Sequence, residues 1–185
     1  MGFIFLSGSG RTIFGTLDKM ESSVFLDLFT ACTDPGLRAV IAKSVVNELR
    51  DLVTPEKPTH VAVAKEGNVL LADEVARQLN LGLVVVRTRI PAIRFGNPLA
   101  GLLPHGAYVV MVDDIAADGE MLVRVAQRIR RYGGRVEKAL CAVERLDGNS
   151  DENLKARDVD LIAPIKIDEK TLRELRSLPA TDLAS

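Results

Sequence analysis

Two adjacent carboxylates, Asp113 and Asp114, stand at the end of an apolar run, and the small-residue turn Ile115-Ala116-Ala117-Asp118-Gly119 carries the chain from them into an amphipathic stretch. Residue types in this order can divide the work of holding a phosphorylated sugar. Vicinal aspartates supply acceptors for neighbouring hydroxyls, directly or through a hydrated divalent cation. The N–H groups of a glycine turn that opens a helix have no intrahelical partners and can take an anion. The spacing suits a ribose 5-phosphate. Asp118 and Glu120 flank the glycine, however, so a turn shaped for an anion brings acids of its own. A carboxylate a few ångströms from a phosphate dianion in a shared pocket costs on the order of several kcal/mol at intermediate dielectric. The two acids also have a purely structural reading. Asp118 would cap the helix and Glu120 would lie in its first turn, where the dipole favours an acid by roughly 0.3–1 kcal/mol. The pair Asp113-Asp114 has a plain alternative too, a solvated strand-to-helix turn.

The elements that must position these residues alternate along the chain. Asp34-Pro35 is a capping residue followed by a proline suited to a first helical turn, and Val40, Ile41, Val45, Leu49 and Leu52 continue a helical period, so a helix is expected from Pro35 to Leu52. His60 to Ala64 reads as a short buried strand leading into Lys65-Glu66-Gly67-Asn68, and Leu71, Val75, Ala76 and Leu79 share one face of the next helix. Leu81 to Arg87 is a β-branched core strand, followed by a proline- and glycine-rich loop or short excursion that ends at His105-Gly106. The third strand is Ala107 to Val112. Leu122, Val125, Ile129 and Tyr132 set the following helix, which Gly133-Gly134 closes as a left-handed cap. Val136 to Val143 is a fourth strand, Leu161 to Ile167 a fifth, and Thr171 to Leu178 a final short helix. This alternation implies an α/β fold, a central mostly parallel sheet flanked by helices on both faces, with ligands outside the carboxyl ends of the strands. Lys65 to Asn68, Arg87-Thr88-Arg89 and Asp113 to Glu120 all lie at such ends and should converge on one crevice.

The chain of 185 residues is long enough to bury a core as one domain without disulfides, and Cys32 and Cys141, far apart and without paired-ligand spacing, read as buried thiols of a reducing compartment. A net charge of −1 offers no field for DNA, and the cluster Arg128, Arg130 and Arg131 reads as a solvated helix face, so no nucleic-acid partner is expected. The early apolar run Phe3 to Leu6 is too short for a signal peptide or a membrane span. The expectation is a cytoplasmic protein with a small-molecule ligand and no membrane partner. His60 and His105 read as turn residues.

Hydrophobic strand, acidic pair, small turn and glycine together resemble the phosphoribosyl pyrophosphate motif of the type I phosphoribosyltransferases. TLDKMESSVFLDL, from Thr16, is similar to the entry segment of orotate phosphoribosyltransferases. HVAVAKEGNVLLADEVARQL, from His60, is similar to their strand, pyrophosphate loop and helix, and CAVERLDGNSDENLKARDVDLIAPIKIDE, from Cys141, to their Asp-Arg strand end, acidic loop and closing strand. The resemblance implies the type I phosphoribosyltransferase fold as a single domain over 1–185, with a small N-terminal hood segment over about 1–33. It implies a phosphoribosyl transfer from phosphoribosyl pyrophosphate to a nucleobase or orotate, with Mg2+ as cofactor, by a homodimer. It further implies that Asp113 and Asp114 hold the ribose and, through water, the metal, and that Ala117, Asp118, Gly119, Glu120 and Met121 form the 5-phosphate loop. Lys65, Glu66, Gly67 and Asn68 would form the pyrophosphate loop, binding through backbone N–H groups, with Arg87 at the mouth of the flexible loop. Arg145 would receive the orotate carboxylate. Asp114 and Arg94 are the implied catalytic residues, Arg94 and Arg89 standing where the family has lysines.

Several positions depart from that pattern. The usual phosphate loop has threonine or serine hydroxyls or a glycine where Asp118, Glu120 and Met121 stand; xanthine phosphoribosyltransferases carry Ala-Asn-Gly-Gln-Ala there, to which Ala117 to Met121 is similar with each amide exchanged for its acid. Lys19-Met20 replaces the Ser-Gly that shapes the orotate pocket. Two readings stay open for Arg145, a ligand contact or a surface arginine, and two for Lys65, an anion contact or a solvent-facing lysine. Two rivals to the transferase also stand: a non-catalytic relative that senses a nucleotide, donor or base, and an unrelated small-molecule enzyme on a similar sheet.

Overall fold

The computed structural model describes residues 4–6, 24–51, 56–88, 97–168, 170–171 and 174, with only the backbone of 4–6, 24–26 and 51. Two short strands, β1 (Ile4–Leu6) and β2 (Val24–Leu26), pair antiparallel. They are followed by α1 (Leu28–Thr33), which Asp27 caps through the N–H of Thr30, and by α2 (Pro35–Asp51). Asp34 Oδ1 accepts the N–H of Leu37 at 2.8 Å, the capping geometry that the Asp34-Pro35 pair implied. Leu52 lies outside the described residues, as does most of the entry segment from Thr16, including Lys19 and Met20.

The main body is a sheet built from β3 (His60–Ala64), β4 (Gly82–Val86), β5 (Leu99–Ala100), β6 (Tyr108–Ala116), β7 (Arg135–Arg145), β8 (Asp160–Ile162) and β9 (Ile165–Ile167). Its order is β5-β4-β3-β6-β7-β8, with β9 beside β7, and every pairing except that of β4 with β5 is parallel. The expected fifth strand is two strands. Pro164, which has no N–H to donate, falls between them; β8 runs beside Lys138 to Leu140 and β9 beside Val143 to Arg145. The expected loop after Arg87 contains the short β5, the excursion that turns back along β4.

Helices cover both faces because both faces are apolar. Ala62, Val84, Met111 and Cys141 pack with Leu122, Val125 and Ile129 of α4 (Glu120–Arg131) and Leu154 of α5 (Ser150–Lys155). Val61, Val63, Val110, Val112 and Leu140 pack instead with Val45 and Val46 of α2 and with Leu71 and Val75 of α3 (Val69–Leu79). The one-residue alternation of a pleated strand thus sends Val109 and Met111 to one layer and Val110 and Val112 to the other. Gly133, at φ 84°, ends α4 in the expected left-handed cap: its N–H reaches Arg130 O at 3.1 Å and that of Gly134 reaches Ile129 O at 3.0 Å. Of the final helix, Lys170, Thr171 and Glu174 are described and helical, and Asp168 Oδ1 accepts the N–H of Thr171 at 2.7 Å.

The α2–α3 contact carries a buried acid. Glu74 accepts from Arg77 Nε at 2.9 Å and Gln78 Nε2 at 2.8 Å, while the Gln78 amide also donates to Ala39 O on α2 at 3.2 Å. These hydrogen bonds, that from Arg77 first, hold the Glu74 carboxyl at about 2, well below its ordinary value. A depressed carboxyl stabilises the fold above its unfolded pKa and ceases to do so as pH falls through the folded one. Glu74→Gln is expected to cost about 1 kcal/mol at neutral pH, since Arg77 is solvent-exposed and screens the pair. In urea titrations the gap between variant and parent should close as pH falls from about 4.5 towards about 2.

Candidate functional site

After β3 the chain runs outward through β4 and β5, then returns to the other side of β3 as β6, so β3 and β6 are neighbours with connections leaving in opposite directions. In an open α/β sheet the crevice for a ligand lies at such a switch, beyond the carboxyl ends of the strands. The end of β3 is the turn Lys65 to Asn68. The end of β6 is longer than the apolar pattern implied, because the strand continues to Ala116 and takes the aspartate pair with it.

Pleat alternation continues into Asp113, on the α4 side, and Asp114, on the α2–α3 side, yet both meet the same turn. A Cβ on Gly67 would stand 3.1 Å from Asp113 Oδ1 and 3.3 Å from Ala64 O, so glycine permits the close approach of that carboxylate. Asp114 Oδ2 accepts from Asn68 Nδ2 at 3.2 Å. The carboxylates straddle the β3–α3 turn. Each is oriented by backbone as well: Asp113 Oδ1 accepts the N–H of Asp114 at 3.0 Å, and Asp114 Oδ1 that of Ile115 at 2.9 Å. Burial pushes the Asp114 carboxyl above the usual carboxylate range, against the Asn68 hydrogen bond. Burial first, and the charge of Asp113 second, pushes the Cys141 thiol up to about 12, so Cys141 is inert as well as buried.

The β3–α3 turn spends much of its backbone on partners in this chain, one of them on β4. Lys65 N–H donates to Val86 O at 2.7 Å, Gly67 N–H to Ala64 O at 3.0 Å and Val69 N–H to Gly67 O at 3.0 Å. Among the described residues no acceptor meets the N–H of Glu66 or Asn68. The Glu66 side chain turns away to Thr88 Oγ1 at 2.9 Å, joining this turn to the end of β4, and Lys65 is exposed. The Arg87 guanidinium bonds Asn97 O, and its N–H donates to Pro98 O at 2.8 Å, so Arg87 ties together the two ends of the 89–96 segment. Arg89 and Arg94 lie outside the described residues.

At the start of α4 the helix cap is Gly119, at φ 74°, and not Asp118 as the structural reading had it. Asp118 sits one residue earlier, and its Oδ1 accepts the N–H of Glu120 at 2.9 Å. One donor of the candidate anion site is therefore taken by the chain's own carboxylate. Glu120 is in the first turn as expected, but it faces Arg124 at 2.6 Å across an exposed helix surface. Behind the turn, α5 closes in. A Cβ on Gly119 would meet Ser150 O at 3.2 Å and Ser150 Cα at 3.3 Å, a Cβ on Gly148 would overlap the Ala117 carbonyl, and Asn153 Nδ2 donates to Asp118 O at 2.8 Å. The sequence reading placed no helix there, since α5 is six residues long and has Leu154 as its one buried large apolar residue.

Arg145, at the end of β7, forms a forked pair with Asp147, Nε to Oδ1 at 3.1 Å and Nη2 to Oδ2 at 2.6 Å. Its guanidinium thus already holds a carboxylate of this chain. The side chain of Asn68 is the feature the sequence reading missed. An asparagine three residues before Leu71 at a helix start was a capping signal, and its Oδ1 does accept the Leu71 N–H at 3.0 Å.

Fold and site together define a type I phosphoribosyltransferase architecture, and comparison with solved structures bears on the fold. Orotate phosphoribosyltransferase from Aeropyrum pernix superposes with a TM-score of 0.76 at 22% identity, over 94% of this chain and 92% of that one. An orotate phosphoribosyltransferase of Methanopyrus kandleri is 30% identical over 164 residues, 87% of this chain and 82% of the relative, and that of Methanocaldococcus jannaschii is 28% identical over 157 residues, covering 85% and 83%. The chain belongs to the orotate phosphoribosyltransferase family. No family model matches it. Among the described residues no helix is long and apolar enough to cross a membrane.

The positive φ of Gly119 and the backbone of Ser150 against it make Gly119→Ala a test of the local packing. It is expected to lower stability by about 1–3 kcal/mol, a fall of several degrees in melting temperature. A variant that melts within about a degree of the parent would mean that α5 does not clamp this turn.

Proposed function

We propose that this protein is a phosphoribosyltransferase that transfers the phosphoribosyl group of phosphoribosyl pyrophosphate to a nitrogenous base, with orotate as the first candidate. The observation that carries the reading is the convergence, at the sheet's switch point, of Asp113 and Asp114 with the β3–α3 turn and the N-terminus of α4. Family membership supports it.

In this reading the bond from the anomeric carbon to the pyrophosphate oxygen breaks with its electron pair leaving on pyrophosphate, a lone pair of the base nitrogen forms the new bond to carbon, and the proton of that nitrogen passes to solvent or to the Asp114 carboxylate. The transition state is oxocarbenium-like, so no side chain need attack. The protein's work is to hold, orient and exclude water. Asp113 and Asp114 accept from the ribose hydroxyls, and their charge stabilises the cationic ring. Ala117, Gly119 and Met121 offer the 5-phosphate their N–H groups. Lys65 and the N–H groups of Glu66 and Asn68 face the pyrophosphate, with Arg94 neutralising the leaving group and Arg87 anchoring the root of its loop. Arg145 takes a carboxylate of the base by releasing Asp147.

The donor set fits Mg2+. Among the described residues no three His, Cys, Asp or Glu side chains could hold a metal ion by themselves. Mg2+ characteristically keeps its waters and binds through one or two carboxylates plus substrate phosphates. Asp113 and Asp114 are hard oxygen ligands suited to that sharing, and the ion would supply charge neutralisation for the pyrophosphate. A homodimer, a cytoplasmic location and a single domain with the first 33 residues as a hood complete the reading.

A second reading, a relative that binds donor, base or nucleotide without turnover, is favoured by two observations: Asp118 fills one N–H of the anion site, and Asp147 fills the Arg145 fork. Calorimetric titration with phosphoribosyl pyrophosphate and Mg2+, followed by orotate with a pyrophosphate-release assay, separates them. Donor binding with pyrophosphate release upholds the transferase; binding without release upholds the sensor.

The electrostatic conflict at the phosphate loop resides in Asp118, whose Oδ1 sits on the Glu120 N–H inside the candidate anion site, whereas the Glu120 carboxylate lies on the exposed helix surface beside Arg124. Asp118→Asn is expected to tighten donor binding about three- to tenfold, whereas Glu120→Gln should change it less than about twofold. The reverse ranking in the same titration would contradict this assignment.

A further inference from the structure

The Asn68 side chain is almost wholly enclosed, with 1% of its surface exposed. The side chain is committed to the protein interior and leaves only the backbone N–H of this residue to face a ligand. It makes two directional contacts at once: Oδ1 receives the N–H of Leu71, fixing the start of α3, and Nδ2 donates to Asp114 Oδ2. The Cys32 thiol of α1 also faces this amide. An amide is the one small side chain that accepts on one atom and donates on the other. We propose that Asn68 is a positioning residue that fastens the β3–α3 turn to the Asp114 carboxylate, so that the part of the site facing pyrophosphate and the part facing ribose are held in register by one side chain.

The inference rests on the transferase reading and adds a residue whose action is indirect. A donor molecule spans both parts of the site, and its affinity contains the advantage of two subsites held at a fixed separation. Pyrophosphate alone spans only one. Loss of the Asn68 tether should therefore weaken the whole donor more than its pyrophosphate fragment, which a general loosening of the fold would not do. Asn68→Ser is the variant of choice, because serine still offers an oxygen to the Leu71 N–H and so preserves the helix cap, while its hydroxyl, one bond shorter than the amide that reaches Asp114 at 3.2 Å, falls short of that carboxylate.

The test is calorimetric titration of parent, Asn68→Ser, Asp114→Asn and the double variant with phosphoribosyl pyrophosphate and with pyrophosphate, both in Mg2+, alongside melting temperatures. Asn68→Ser is expected to melt within about 3 °C of the parent and to lose about tenfold in donor affinity but less than about threefold in pyrophosphate affinity. Added to Asp114→Asn it should cost less than about threefold further, because with the new amide's single oxygen kept on the Ile115 N–H only its NH2 faces Asn68, and two donors make no bond. An unchanged donor affinity in Asn68→Ser, equal losses for donor and pyrophosphate, or a full tenfold loss in the Asp114→Asn background would each overturn the role of Asn68 while leaving the transferase reading intact. A parent protein that binds neither compound would overturn both.

Discussion

Parallel pairing of β3 with β6 is the constraint on which the candidate site depends. It sets His60 beside Val109 and Ala62 beside Met111, and so brings two strand ends separated by some fifty residues to the same edge of the sheet. Both strands are apolar on both faces through their central residues, so the register is held by how individual side chains fit each layer, Ala62 and Met111 on one side and Val61 and Val110 on the other. A slip of one residue would exchange the layers of every β6 side chain and would swing Asp113 and Asp114 to each other's faces. The geometry of the carboxylates is thus decided by the core beneath them. Gly67 and Asn68 then complete the join, one by lacking a side chain and the other by having an amide.

Around this join the chain satisfies several of its own binding groups. Asp118 takes an N–H at the start of α4, Asp147 occupies the fork of Arg145, Gly67 and Val69 spend their N–H groups within the β3–α3 turn, and Lys65 gives its own to Val86 of β4. Each such contact avoids the cost of an unpaired polar group. Each also stands in the way of an anionic ligand, which must offer a better partner than the one it displaces. Asp114 adds to this tension, since its burial disfavours the charged form that best accepts a hydroxyl. The acids noticed in the turn before α4 therefore have a structural answer: the Asp118 carboxylate takes a helix N–H, and that of Glu120 pairs with Arg124 on an exposed helix surface.

Much of the fold was legible in the residues because its signals are periodic. Runs such as HVAVA and AYVVMV fit only a strand covered on both faces, and the spacing of Leu122, Val125 and Ile129 fits only a helix lying on one. Asp34-Pro35 and Gly133-Gly134 marked helix ends through backbone chemistry that no tertiary contact had to supply. What escaped depended on partners distant in sequence. The extension of β6 through Asp113 and Asp114 is sustained by pairing with Cys141 to Glu144, which no local pattern announces. The short α5 has too few apolar residues to be periodic, and the bidentate grip of Asp147 on Arg145 could not be read from an R-L-D-G turn. Asn68 escaped as a bridge because the carboxylate it meets lies 46 residues away.

The central claim is that main-chain N–H groups at the start of α4 and the two carboxylates ending β6 hold the two ends of one phosphorylated sugar. The most direct measurement is a residue-resolved nitrogen-15 NMR titration with ribose 5-phosphate in the presence of Mg2+. The largest saturable shifts are expected at Ala117, Gly119 and Met121 together with Asp113, Asp114 and Gly67. Saturable shifts confined to any other part of the sheet, or none at all on those six amides, would contradict the account.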